Sequence, residues 1–133
     1  MNSSRYSFRI RFSGSFPDAL LAVKAALKNE GFGVLCEIDI QQKIKEKLGK
    51  DMEPYTILGA CNPPLADEAL KTETEIGLFL PCNIIVYQKN KSVFIAAIDV
   101  PTAMKVVQNP DLQPIAEKVN QKLTTALQSL PSD

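Results

Sequence analysis

Two short motifs hold the residues of this 133-residue chain whose types and spacing could do chemistry. The first is Ala60-Cys61-Asn62-Pro63, at the end of the apolar run 55–60. The second is Leu80-Pro81-Cys82-Asn83, with its cysteine 21 positions after the first (82 − 61 = 21). If the two run ends lie side by side, two thiols and two carboxamides meet. Thiolates suit soft or borderline ions such as zinc, copper(I) or cadmium, which makes Cys61 and Cys82 candidate metal ligands. They supply two of the four ligands of a closed tetrahedral site. The others would have to be carboxylates, water, or the same pair from a second subunit. Cys61 also precedes an expected helix N-terminus, whose free N–H groups favour an anion, so it is a candidate nucleophile. A third use is a small-molecule pocket with Asn62, Asn83 and Tyr55 as hydrogen-bonding groups. Against all three stands a structural explanation. Cysteine is among the most buried residue types, and asparagine caps helices and makes turns. Spacing alone leaves these readings open.

Composition narrows the chemistry further. Histidine is absent, which removes the Ser-His-Asp triad, the Cys-His pair and every histidine-containing metal site. Three cysteines is an odd number without the spacing of a disulfide framework, so thiols are expected. Lysine plus arginine equals aspartate plus glutamate at 15 each, and no basic run stands out, so a nucleic-acid partner is not expected. The longest apolar stretch, 76–87, is too short to span a bilayer and contains Pro81. No apolar h-region follows Met1. The expectation is a soluble cytoplasmic protein without a membrane partner.

The elements that must position the motifs can be read from periodicity and caps. Tyr6, Phe8, Ile10 and Phe12 alternate with Ser7, Arg9 and Arg11, which predicts a strand with one buried face. Ser15 as cap, Pro17 in the first turn and Asp18 three places after the cap predict a helix. Its apolar face is Phe16, Leu20, Val23 and Leu27, and Gly31 and Gly33 end it. The run 34–39 predicts a strand with Val34, Cys36 and Ile38 on one face and Glu37 and Asp39 on the other. Cys36 is then a small core residue. Glu37 and Asp39 would meet Arg9 and Arg11 across the sheet, as solvated ion pairs or as a carboxylate pair lining a site.

Ile40, Ile44 and Leu48 stripe a short helix that Gly49 stops. The run 55–60 is a third strand, after which Asn62 caps a helix with Pro63 at its first position. Segments 77–80 and 84–87 read as strands joined through Pro81-Cys82-Asn83, and 84–98 as a hairpin with its polar turn at 88–92. A small helix follows Asp99, and a last one carries the stripe Leu112, Ile115, Val119, Leu123, Leu127 and Leu130. This order predicts an α+β fold: one compact domain over 1–133, a mixed or largely antiparallel sheet, and helices packed on one face.

The same stretches carry a resemblance. Residues 31–39, then Pro54-Tyr55 through Leu58-Gly59-Ala60-Cys61-Asn62-Pro63, then Glu75-Ile76-Gly77 and Leu80-Pro81-Cys82-Asn83, resemble the DUF302 family of small prokaryotic proteins of unknown function. The resemblance runs from about Phe12 to Leu130. It implies a compact α+β domain, often found alone, and a homodimer. It also implies a shared site of Cys61, Asn62, Cys82 and Asn83, with Glu37 and Tyr55 as neighbours. Cys36 departs from the threonine or other small residue expected there, in keeping with its reading as core filler. The function expected is a non-enzymatic binding domain taking a soft metal ion or a small molecule. The alternatives are a thiol-dependent enzyme with Cys61 as nucleophile and a structural, partner-binding module.

Overall fold

The computed structural model describes residues 1–133. Its centre is a six-stranded sheet in which every pairing is antiparallel. The strands are β1 (Asn2–Ser3), β2 (Ser7–Phe12), β3 (Gly33–Asp39), β4 (Tyr55–Cys61), β5 (Cys82–Lys89) and β6 (Ser92–Ile98), in the spatial order β1-β2-β6-β5-β4-β3. The helices are α1 (Phe16–Asn29), α2 (Ile40–Leu48), α3 (Pro63–Thr72), α4 (Val100–Met104) and α5 (Gln113–Gln128). The α+β class, the antiparallel sheet and the one-sided helical cover are as the sequence predicts. No helix is long and apolar enough to cross a membrane.

Period-two alternation decides which sheet face is covered. Phe8, Ile10 and Phe12 of β2, Leu58 and Ala60 of β4, Ile84 and Val86 of β5, and Ile95 and Ala97 of β6 are buried together with Val23, Leu27, Leu123 and Leu127 of α1 and α5. The intervening residues point to the opposite face, which is open beside β2, β5 and β6.

Local signals place the connections. Ser15 Oγ accepts the Asp18 N–H at 3.2 Å at the start of α1. At its end Gly31 takes φ +86°, the Gly31 N–H bonds Lys28 O and the Phe32 N–H bonds Leu27 O. That double closure needs a left-handed residue, and glycine supplies it without a Cβ clash. Asn90 and Lys91 both have positive φ between the paired Lys89 and Ser92, so the hairpin closes on a two-residue turn of the type that matches strand twist.

Two expectations are corrected. Residues 77–80 form no strand; a 3-10 helix covers Thr74–Phe79. The short helix α2 forms as expected and Gly49 ends it, though it buries no residue and Leu48 is 61% exposed. The second correction concerns β3. Val34 pairs with Ala60, yet Cys36 pairs with Gly59, so Leu35 is an extra residue in a β-bulge. A one-residue bulge reverses the alternation after it. Val34 stays on the helical side, whereas Cys36 and Ile38 turn to the open face and Cys36 is exposed. Cys36 is therefore not core filler. It packs over the backbone of Gly59, where an added Cβ would lie 2.6 Å from Cys36 Sγ and 2.7 Å from Pro81 Cγ. Gly59 has no room for a side chain.

Candidate functional site

The two motifs do come to the same place. Ala60 pairs with Cys82, and Gly59 with Asn83, so the end of β4 meets the start of β5. Cys61, Asn62 and Cys82 line one small void together with Leu65, Leu80 and Met104. The void is about 30 Å³ and almost wholly apolar. It can hold a water molecule or two but falls far short of the several hundred Å³ of small-molecule sites. Cys82 is buried, and its thiol is pushed up from 9.0 to about 11, first by burial and second by the neighbouring Cys61. Cys61 is half-buried, and all three cysteines are free thiols.

The asparagines part company. Asn62 is buried and satisfied on both sides. Its Oδ1 accepts the Leu65 N–H at 3.5 Å, capping α3, while its Nδ2 donates to the Glu30 carbonyl at 3.3 Å, just past the end of α1. Asn83, the next residue after Cys82, points to the open sheet face and is exposed.

Glu37 and Tyr55 lie away from the cysteines. The bulge turns Glu37 to the helical side, where its carboxylate pairs with Lys24 of α1. It cannot meet Arg9 or Arg11, because β3 and β2 lie on opposite sides of the sheet. Asp39 is taken up as the cap of α2, its Oδ1 accepting the Gln42 N–H at 2.9 Å. Tyr55 is at the far end of β4 from Cys61, about 20 Å along a strand rising roughly 3.4 Å per residue. No group of three or more Cys, Asp or Glu side chains is arranged to hold a metal.

A second concavity lies on the open face. It is a groove of about 560 Å³, floored by Tyr55, Asn83, Ile85, Tyr87, Ala96 and Ile98 and walled by the N-terminal segment Asn2–Ser4 with Tyr6, Ser7 and Arg9. All three tyrosines of the chain border it. Across its floor runs an aromatic ladder fixed by strand register. Tyr55 is paired with Tyr87 and Tyr87 with Phe94, and the rings stack at 5.8 Å and 5.2 Å between centroids. The Arg9 guanidinium lies 5.3 Å above the Phe94 ring and donates from Nη1 to Tyr87 Oη at 3.3 Å. Tyr55 is held above its ordinary pKa of 10.0, first by burial and then by Tyr87 and Tyr6. Its hydroxyl stays a neutral donor at physiological pH.

Sequence reasoning grouped Tyr55 and Asn83 with the two cysteines, whereas the structure sets them beside Arg9, Tyr6 and Tyr87. A usable signal exists: Tyr87 and Phe94 occupy the outward phase of strands whose inward phase is aliphatic, where polar residues are the norm for a solvated face.

A family model described as "Domain of unknown function DUF302" matches residues 8–130. Among solved structures, the crystal structure of an uncharacterized conserved DUF302 protein from Bacillus stearothermophilus is similar over 96% of this chain and 99% of that one, with TM-score 0.90 and 30% identity. No curated protein matches the chain.

Proposed function

The chain belongs to the DUF302 family, a domain family of unknown function, and from its own geometry we propose that it is a binding domain whose small-molecule ligand lies in the groove on the open sheet face. The observation that carries this is the groove itself: about 560 Å³, with an aliphatic and aromatic floor and a few polar groups at its edge. That is the size and lining of a small-ligand site. Asn83 and Tyr55 serve as hydrogen-bonding groups there. The Cys61–Cys82 end supports this reading less, since its void is about 30 Å³ and a soft metal would find two thiols there without a third ligand. A screen of aromatic fragments against ¹⁵N-labelled protein tests the proposal. Hits are expected to shift the amides of Ile85, Ala96 and Ile98. Fragments that bind only elsewhere, or nowhere, sink it.

A homodimer is a second, compatible reading. The edge strand β3 exposes Leu35 by 68% and Ile38 by 39%, and α2 exposes Leu48 by 61%. Pairing two such edges through these side chains would cover them. The expected native mass is that of two 14.6 kDa chains, falling to one in a Leu35→Glu, Leu48→Glu variant. A wild-type mass of one chain rules this reading out.

A further inference from the structure

We propose that the ligand of the open-face groove is a small molecule with a planar apolar body and one terminal anionic group, carboxylate or phosphate, anchored by Arg9. This rests on the groove being the ligand site and adds the chemistry of its occupant.

Charge is the first argument. Arg9 is the one charged side chain lining the groove, and no carboxylate lines it. Arg9 is also without an acidic partner. The chain's ion pairs are Arg11–Asp133, Lys24–Glu37, Lys43–Glu46, Lys45–Asp51 and Lys71–Asp67. The C-terminal Asp133 goes to Arg11, at 3.7 Å, rather than to Arg9.

The second argument is preorganisation. Arg9 is not a free surface cation, because the Phe94 ring and the Tyr87 hydroxyl already hold its guanidinium plane. A guanidinium fixed in this way uses one N–H on Tyr87 and keeps others for an incoming anion. Less side-chain freedom is then lost on binding. The Tyr87 hydroxyl that accepts from Arg9 also borders the groove at this end.

The floor gives the third argument. Tyr55, Tyr87, Ile85, Ala96 and Ile98 present a flat apolar surface, and the two tyrosine rings are stacked side by side across the strands. A planar body can lie on them while its charged end reaches Arg9.

The test compares benzoate and phenyl phosphate with benzamide and benzyl alcohol, following the Ile85, Ala96 and Ile98 amides by ¹⁵N NMR at low salt. The anions are expected to bind about tenfold or more tightly than the neutral pair, as a charge-assisted hydrogen bond to a guanidinium requires. Benzoate against phenyl phosphate tells which anion the site prefers. Arg9→Gln should abolish the preference. Arg9→Lys should retain part of it. Equal binding of neutral and anionic probes, or a preference that survives Arg9→Gln, overturns the proposal while leaving the groove as a site. Inorganic phosphate binding as well as phenyl phosphate removes the planar body from it. If the same amides move with protein concentration alone, a second copy fills the groove and the proposal fails. If no probe moves them, the groove reading fails with it.

Discussion

Replacing Asn62 with alanine is expected to lower stability by about 2–3 kcal/mol, whereas Asn83→Ala should change it by no more than about 0.5 kcal/mol. The two asparagines stand in matching Cys-Asn motifs, yet they do different work. Asn62 is 8% exposed and joins two helix ends. Its Oδ1 caps α3 through Leu65, and its Nδ2 satisfies the Glu30 carbonyl beyond the end of α1. Alanine removes the cap, typically about 1 kcal/mol, and leaves a partly buried carbonyl without its partner, typically about 1–3 kcal/mol. Both bonds are long, at 3.5 Å and 3.3 Å, which places the sum in the lower part of that range. Gly31 sharpens the point, because a Cβ there would come within 3.2 Å of Asn62 Nδ2. The loop after α1 is shaped around this side chain. Asn83 is exposed, so its removal should leave folding intact and affect ligand binding instead. Urea unfolding at neutral pH reads the difference. Equal losses for the two variants would show that the matching motifs play matching structural roles.

Much of the fold could be read from the chain because local rules agree with one another there. The alternation of β2, the Ser15 cap, the Gly31 stop and the Asn62 cap each have one dominant solution, and the chain adopts it. The reading failed where the solution depends on residues distant in sequence. Val34-Leu35-Cys36 is apolar throughout, so nothing in it marks the bulge that changes the phase. The one-residue slip carried Cys36 out of the core and moved Glu37 from Arg9 and Arg11 to Lys24. Strand order was equally hidden. β2 joins the sheet through β6, eighty or so residues later in the chain, which sets Arg9 beside Phe94 and Tyr87 and far from Glu37. The groove is a product of that register. Its tyrosines come from the N-terminal segment, β4 and β5, and no short window of sequence contains two of them.

The stability of the protein should fall as pH rises from about 9 to about 11, by roughly 2–3 kcal/mol more than in a Cys82→Ala variant. The sign follows from the proton. Burial, helped by Cys61, pushes the Cys82 thiol from 9.0 in the unfolded chain to about 11 in the folded one. The folded state therefore holds this proton more tightly. The stabilisation is complete below about pH 9 and is lost as pH climbs through the folded value. Two pKa units at about 1.36 kcal/mol each give the size. Tyr55 is raised in the same direction. Only the difference between wild type and Cys82→Ala isolates the thiol. Cys82→Ala should start lower at pH 7 because it empties core volume, and then decline less steeply. Parallel curves would show that the thiol is not held protonated by the fold. The same protonation bears on what this end of the sheet can do. At pH 7 the Cys82 thiol is held protonated, whereas the thiolate is the form that ligates metal or attacks an electrophile. Chemistry at Cys82 would first have to open the packing around it. A ligand on the other face of the same strand, beside Asn83, Ile85 and Tyr87, would leave the core undisturbed.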